Sequence, residues 1–276
     1  MAIVSMVGGT AEIDRIGLAS AFELARKLAQ PLTVLSALPD AGAALVYVTS
    51  PYMVGLGAGA ITQVEQAQRN LVAEWKGLYD ALAGEYPDVA ANFAHQTQLT
   101  ERAATQSAVL AEAMVFPRPA GCAGHVLSAA FEAVLMNDRL PVILAGTSAY
   151  KNGLAVVAWD GSPQVARAVR MHLPVIKSAN GVISAQNEDD LKPGDQGPAT
   201  SVGALQDWFA NHGVEAETAA VTGPIGAGLL SLCETREADL LVAGAFGHSR
   251  AGEFLFGGAS RSLLTAETAP ALALSH

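Results

Sequence analysis

The segment GLAVVAWDGSPQVARAVRMHLPVI (residues 153–176) joins three sequence patterns in one run. A short apolar stretch, typical of a buried strand, leads into the turn Asp160-Gly161-Ser162-Pro163, and apolar residues at helical spacing follow. The beginning of the chain repeats this order, because an apolar run over residues 3–7 is followed by Gly8-Gly9-Thr10 and a second helical pattern. One strand-turn-helix unit therefore opens each half of the chain.

The rest of each half continues the repeat. Each half has a second strand pattern, a long helix, a third strand, a helix, a fourth strand, a last helix and a closing strand. These strand patterns are LTVLSAL (32–38), NFAHQTQ (92–98), SAVLAEA (107–113) and LPVILAG (140–146), then GVISAQN (181–187), EAETAAV (215–221), ADLLVAGA (238–245) and ALALSH (271–276). Short strands that alternate with helices are typical of βαβ units in a parallel sheet. We therefore predict an α/β fold of two tandem open-sheet domains, residues 1–147 and 152–276, each with a mostly parallel five-stranded sheet and helices on both faces.

The composition excludes several classes of protein. Hydrophobic residues make up 51% of the 276 residues and charged residues 15%, which argues for a packed core and against disorder. The formal net charge of −10 repels polyanions, so nucleic acid is not expected as a partner. Cys122 and Cys233 have no metal-ligand spacing, which favours reduced thiols and predicts no metal site. Without an apolar run of about 18 residues or a basic leader, we expect a cytoplasmic protein with no membrane span.

Two glycine-bearing turns are predicted to meet at one edge of the second sheet. Ligands of open α/β sheets bind beyond the carboxyl ends of the strands, where helix N-termini and loop amides converge. In the second half, Asp160-Gly161-Ser162 follows the first strand, and the loop from Gly244 to Ser260 follows the fourth. Their convergence indicates a ligand site more strongly than either turn does alone.

The spacing of glycines in the second of these turns carries a family resemblance. Gly244, Gly247 and Gly257 form the pattern G-x2-G-x9-G, and Asp160 ends the first strand of the same half. Together with the internal repeat, these residues resemble the universal stress protein family, and the tandem two-domain type of that family in particular. The resemblance covers essentially the whole chain.

The resemblance implies a fold, a ligand and a set of contacts. It implies an adenine nucleotide α-hydrolase-like fold and a stress-response protein that binds ATP or AMP in its second domain, with Mg²⁺ only alongside ATP. Asp160 would lie near adenine and ribose, the first two glycines near ribose and phosphates, and the last residues of the loop would supply amide donors. An adenine contact is expected from the strand at 185–187. The implied nucleotide-binding residues are Asp160, Gly161, Ser162, Gly244, Gly247, His248, Gly257, Gly258, Ala259 and Ser260.

The chain departs from the family pattern at several positions. The family has Ser or Thr after the last glycine, whereas this chain has Gly258, so a hydroxyl is lost although backbone amides and Ser260 remain. In the first half, Gly8 stands where the second has Asp160, and VFPRPAGCAGHVLS (115–128) lacks the glycine spacing. We therefore predict that only the second half binds a nucleotide.

Plainer explanations exist for the same residues. Asp160 lies in a turn with good helix-capping chemistry, and the glycines of the loop are also suited to a chain reversal. His248 and Arg250 suit a phosphate, but exposed loop residues are more often solvated. The alternative function is a universal stress protein that binds no nucleotide and acts as an interaction scaffold. A slow ATPase would need a general base or a carboxylate metal cluster, and the loop offers neither, so no catalytic residue is predicted.

The closing strands of the two halves predict how the chain assembles. LPVILAG and ALALSH are apolar, and an exposed apolar edge strand invites pairing. Within one chain, the two strands meet at high effective concentration. We therefore predict an intramolecular pseudo-dimer, built on these two strands, and any further homodimer would use other surfaces.

Overall fold

The computed structural model describes residues 2–42, 58–151, 153–187, 197–245 and 258–276. Over these ranges the chain forms ten strands, which all belong to one sheet. No helix in the same ranges combines the length and the apolar character that a membrane crossing requires. The strands are β1 (Ala2–Val7), β2 (Leu32–Leu38), β3 (Ala91–Thr97), β4 (Ala111–Phe116), β5 (Val142–Leu144), β6 (Leu154–Ala158), β7 (Gly181–Gln186), β8 (Ala216–Ala220), β9 (Ala238–Gly244) and β10 (Ala271–Ser275).

The sheet consists of two five-stranded halves joined side by side. The strand order is β3-β2-β1-β4-β5-β10-β9-β6-β7-β8. Every neighbouring pair within a half is parallel, and only β5 and β10 are antiparallel. Each half therefore has the predicted α/β architecture, and the carboxyl ends of its strands lie at one edge of the sheet. Because the central pair is antiparallel, the two carboxyl edges lie on opposite sides of the molecule.

The central pair confirms the predicted pairing of the closing strands. Leu272 lies opposite Leu144, Ala273 opposite Ile143, and Leu274 opposite Val142. All six residues are buried. The two halves thus cover each other's apolar edge strand.

Helices cover both faces of the sheet. They are α1 (Ala11–Lys27), α2 (Ala58–Glu85), α3 (Thr100–Ala108), α4 (Ser128–Glu132), α5 (Pro163–Met171), α6 (Leu173–Ser178), α7 (Val202–Asn211), α8 (Ile225–Thr235) and α9 (Gly258–Thr265). Helices α1, α2, α5, α6 and α7 pack on the first face, and α3, α4, α8 and α9 pack on the second. Each face has one hydrophobic core that contains residues of both halves. The packing is therefore continuous across the β5–β10 seam.

The linker between the halves is held by side chains from both of them. The Tyr150 amide donates a hydrogen bond to Ser20 Oγ in α1 over 3.0 Å. The amides of Lys151 and Gly153 donate to the Asp239 carboxylate at the start of β9 over 2.8 and 3.0 Å. Since one linker contacts α1 and β9 together, it also restricts movement of one half against the other.

The sequence-based position of the fourth strand is wrong. The pattern SAVLAEA (107–113) places it too early, because α3 extends to Ala108 and β4 begins at Ala111. Val109 and Leu110, which suggested a strand, are 63% and 82% exposed in the connection. The buried run that forms the strand ends at Val115 and Phe116, which the sequence pattern had assigned to the following loop.

A buried histidine connects α5 to the closing strand. His172 directly follows α5, is fully buried, and its Nε2 donates to the Leu274 carbonyl oxygen over 3.0 Å. Its Nδ1 has no partner among the described residues. Burial lowers the pKa of His172 to about 4, and the hydrogen bond to Leu274 only partly offsets this. The neutral ring is therefore the form that the folded chain accommodates.

We expect the burial of His172 to make stability depend on pH. Because its folded pKa lies below the ordinary value of 6.5, its contribution is present above pH 6.5 and is lost as the pH falls toward 4. The His172→Gln variant keeps an N–H donor for Leu274 but does not titrate. Its free energy of unfolding relative to wild type should rise by about 3 kcal/mol between pH 7 and pH 4, measured by urea unfolding. A difference that stays constant with pH would contradict this explanation.

We also expect the seam to couple the two halves in unfolding. Leu274→Ala removes a buried side chain opposite Val142 and should lower the free energy of unfolding by about 3 kcal/mol. Hydrogen exchange should show the loss of protection in β1 and β4 as well as in β6 and β9. The matched control is Leu110→Ala, an exposed position where the change should stay within about 0.5 kcal/mol. Unchanged protection in β1 and β4 would show that the halves unfold independently.

Candidate functional site

The strand order of the second half places β6 next to β9, where the chain changes direction across the sheet. From β6 the chain proceeds outward to β7 and β8, and it then returns to β9 on the other side of β6. Ligands of open α/β sheets bind at such a switch point, beyond the carboxyl ends of the two strands. The Asp160 turn follows β6, and Gly244 is the last residue of β9. The sequence predicted that these two places meet.

The Asp160 turn caps the N-terminus of α5. Asp160 is exposed, and its Oδ1 accepts a hydrogen bond from the Ser162 amide over 2.8 Å. Ser162 is the N-cap of α5, because its Oγ accepts from the Val165 amide over 3.3 Å. Gly161 has a φ of +73°, which glycine adopts without strain. The plainer explanation of Asp160 as a capping residue is therefore part of its role, and its exposed position leaves it accessible to a ligand.

Gly244 allows β9 to end directly against the start of α5. A Cβ at this position would lie 2.6 Å from the Val165 backbone nitrogen and 2.9 Å from the Gln164 carbonyl carbon. Contacts that short exclude any side chain unless the backbone shifts. The structure thus brings Gly244 and the Asp160 turn together, as predicted.

Helix α9 approaches the same edge from the other face of the sheet. It begins at Gly258, and Ala259 and Ser260 belong to its first turn. Because α9 connects β9 to the parallel strand β10, its N-terminus lies at the carboxyl edge and its C-terminus at the amino edge. The first-turn amides of α9 have no intrahelical acceptors, and such amides favour an anion. In α5, Pro163 has no N–H and the Val165 amide already donates to Ser162 Oγ.

The loop residues Gly247, His248, Arg250 and Gly257 lie outside the described residues, so their predicted roles stay predictions.

The second strand of this half contributes to the site through main-chain contacts. The Trp159 amide donates to the Ala185 carbonyl oxygen over 2.8 Å, and its indole Nε1 donates to the Thr200 carbonyl oxygen over 2.9 Å. Thr200 also lies against Gly161, where a Cβ would come within 2.9 Å of its carbonyl oxygen. The Nδ2 of Asn187 donates to the Gly223 carbonyl oxygen, in the connection after β8, over 3.0 Å. Trp159 and Thr200 therefore lie on one side of the Asp160 turn, and Thr200 packs against Gly161.

The corresponding edge of the first half is occupied by its own side chains. The amides of Gly8 and Gly9 donate to the Asp14 carboxylate over 3.3 and 2.9 Å. A Cβ at Gly8 would lie 2.9 Å from Leu127 Cδ2, so Leu127 packs directly on the end of β1. Leu127 is the residue directly before α4. In the sequence of the second half, Gly257 has the corresponding place directly before α9. The glycine amides that follow β1 therefore already have an internal carboxylate as their acceptor.

The comparison with known families matches one half of the chain. Residues 154–274 match the model of the universal stress protein family. These residues are a universal stress protein domain. The match spans β6 to β10 and includes both turns of the candidate site. None of the curated proteins matches the chain.

Solved universal stress proteins share the fold over both halves. A universal stress protein from Archaeoglobus fulgidus is 12% identical and has a TM-score of 0.62, with 99% of this chain and 97% of that chain covered. A putative universal stress protein from Pseudomonas aeruginosa is 15% identical with a TM-score of 0.51, and 99% and 92% are covered. The α/β fold of these proteins is thus shared over the whole chain. A universal stress protein solved in complex with cAMP is 24% identical with a TM-score of 0.34, and 47% and 99% are covered.

The geometry of the universal stress protein domain suits binding of an anionic ligand. Two helix N-termini and a side-chain-free Gly244 lie at one edge, and the Asp160 carboxylate can accept hydrogen bonds from a sugar hydroxyl. Over the part of the chain that is described, no group of three His, Cys, Asp or Glu side chains is placed to hold a metal ion.

Several residues that shape the two edges were not found from the sequence. Trp159 ends an apolar run next to Asp160, and this adjacency was a usable signal. Thr200 and Asp14 had no signal in the sequence. Each contacts a turn that lies in a different sequence segment, Thr200 the turn at Gly161 and Asp14 the turn at Gly8 and Gly9. Trp75 also hydrogen-bonds the Asp14 side chain from α2, far along the chain.

We expect burial of Asp14 to make the free energy of unfolding depend on pH in the direction opposite to that of His172. Burial raises the pKa of Asp14 to about 6, although hydrogen bonds from Gly8, Gly9 and Trp75 oppose the rise. Because the folded pKa is raised above 3.8, this contribution to stability is present at low pH and is lost as the pH rises through 6. The free energy of unfolding of Asp14→Asn minus that of wild type should therefore grow by about 3 kcal/mol from pH 4 to pH 8.

The measurement is urea unfolding of both proteins across this pH range. Asp88→Asn, the same change at an exposed carboxyl, is the matched control. A difference between Asp14→Asn and wild type that does not vary with pH would contradict the assignment.

Proposed function

We propose that the chain is a cytoplasmic stress-response protein that binds one adenine nucleotide, ATP or AMP, at the β6–β9 edge of its universal stress protein domain. The observation that carries this proposal is the exposed Asp160 carboxylate at the switch point between β6 and β9, within the residues that match the family model. Gly244 lets β9 end directly against the first turn of α5, and this contact brings the Asp160 turn to the end of β9. The Asp160 turn would then hold adenine and ribose, and Mg²⁺ would accompany ATP only.

The phosphates would be bound mainly by backbone amides. Gly258, Ala259 and Ser260 form the first turn of α9, where amides without intrahelical acceptors and the helix dipole favour negative charge. Gly258 lacks the hydroxyl that the family pattern has at this position. Phosphate binding is therefore expected to be weaker than in a chain with Ser or Thr there, but not lost.

The proposal assigns one site to the chain and none to its first half. The glycine amides that follow β1 already donate to Asp14, and Leu127 packs against the same strand end. A nucleotide in the first half would have to displace both side chains from buried positions. The alternative function is a scaffold that binds no nucleotide. The observation in its support is that Gly258 lacks the hydroxyl of the family pattern.

Calorimetric titration with ATP and AMP tests the proposed function. Wild type should bind with a stoichiometry of one per chain, and Asp160→Ala should weaken binding about tenfold by removing a charged hydrogen-bond acceptor. Asp160→Asn is the matched control, because it keeps an acceptor for the Ser162 amide while the charge is lost and the second oxygen is replaced by an NH2 group. No heat of binding at millimolar ATP or AMP would favour the scaffold function, and two sites per chain would contradict the assignment of the first half.

Gly258→Ser gives a test by gain of affinity. A hydroxyl at the start of α9 restores a donor to a charged phosphate and should strengthen ATP binding about tenfold. Gly258→Ala is the matched control, because it adds the Cβ without the hydroxyl. Equal affinities of the two variants for ATP would show that the phosphates lie elsewhere.

A further inference from the structure

Arg118 of the first half reaches across the seam to the last helix of the second. It begins a four-residue 3-10 turn, Arg118–Gly121, between Pro117 and Pro119, directly after β4. Its Nη2 donates to the Leu263 carbonyl oxygen in α9, and its Nη1 donates to the Pro270 carbonyl oxygen over 3.3 Å. One guanidinium thus connects the first half to the end of α9 and to the residue before β10.

The environment of this guanidinium indicates a specific role. Burial lowers the pKa of Arg118, and no carboxylate among the described residues forms an ion pair with it. Its hydrogen-bond acceptors are carbonyl groups at a helix C-terminus and in the following connection. The last carbonyls of a helix have no intrahelical donors, and a cation there also interacts favourably with the helix dipole. Arg118 therefore caps α9 from the other half of the molecule.

Apolar contacts fix the same turn against the same helix. A Cβ at Gly121 would lie 2.7 Å from Leu264 Cδ2 and 2.8 Å from Leu144 Cδ1. Gly121 therefore lets the 3-10 turn pack directly on the last turn of α9 and on β5. Leu263 and Leu264 are both buried, so the C-terminal turn of α9 is held by packing as well as by hydrogen bonds.

We propose that Arg118 is a positioning residue for phosphate binding. Helix α9 has eight residues and is about 12 Å long, so a contact at its C-terminus also sets the direction in which its first-turn amides point. This inference rests on the proposed function, in which those amides bind the phosphates. The first half then binds no nucleotide itself but holds the helix that does.

The test compares ligands with and without phosphate. Arg118→Met keeps much of the apolar length and removes the donors and the charge. ATP affinity should fall about tenfold in this variant, while the affinity for adenosine, which does not reach α9, should be unchanged. Arg118→Lys keeps a cation and should recover part of the ATP affinity. The matched control is Arg15→Met, which removes an exposed arginine of α1 that pairs with Glu85 and should leave both affinities unchanged.

The outcomes separate this inference from the proposed function. Equal losses of ATP and adenosine affinity in Arg118→Met would show general destabilisation, and unchanged ATP affinity would show no coupling, so either result overturns the positioning role. If wild type binds no adenine nucleotide, the proposed function fails, and hydrogen exchange over residues 258–265 decides whether Arg118 holds α9. Faster exchange there in Arg118→Met would support the positioning of the helix, and unchanged exchange would overturn it.

Discussion

Three antiparallel residue pairs between β5 and β10 join two parallel sheets into one. Each strand alone would be a short apolar edge, and the pairing gives both strands a neighbour on each side. Side chains alternate across the seam, so Ile143 and Ala273 enter the core of the first face while Leu144 and Leu272 enter that of the second. The two cores, the linker contacts of Tyr150 and the reach of Arg118 to α9 all depend on this pairing.

Close backbone approach is the second constraint, and it acts where the candidate site lies. Gly244 ends β9 against α5, and Gly161 turns the chain under Thr200 with a positive φ. At both positions a side chain would collide with backbone atoms, so the glycines are required by the fold whether or not a ligand is bound. The two close contacts also fix where the Asp160 turn lies relative to the end of β9.

The sequence predicted the elements better than it predicted the contacts between them. The buried strand β6 is an unbroken apolar run, and β1 and β9 are interrupted only by Ser5 and Asp239. The two closing strands were apolar enough to predict their pairing. The fourth strand was placed too early because Val109 and Leu110 are apolar yet exposed, and composition alone does not report burial. In the candidate site, Gly244 follows from a glycine motif with fixed spacing, and Asp160 follows from its place after the first strand of the same half. Thr200 and Arg118 do not, since Thr200 contacts Trp159 across 41 positions and Arg118 contacts Leu263 across 145.

The covalent linkage of the two halves has a consequence for how they can diverge in sequence. In a symmetric dimer of identical chains, one codon specifies the same residue at both edges, so a change that fills one edge fills the other. Here the two halves are encoded separately, so Leu127 and Asp14 pack at one edge while the other carries the exposed Asp160. Covalent linkage thus allows the two halves to acquire different roles, which a symmetric dimer does not allow. One half supports the structure, and the other carries the candidate site.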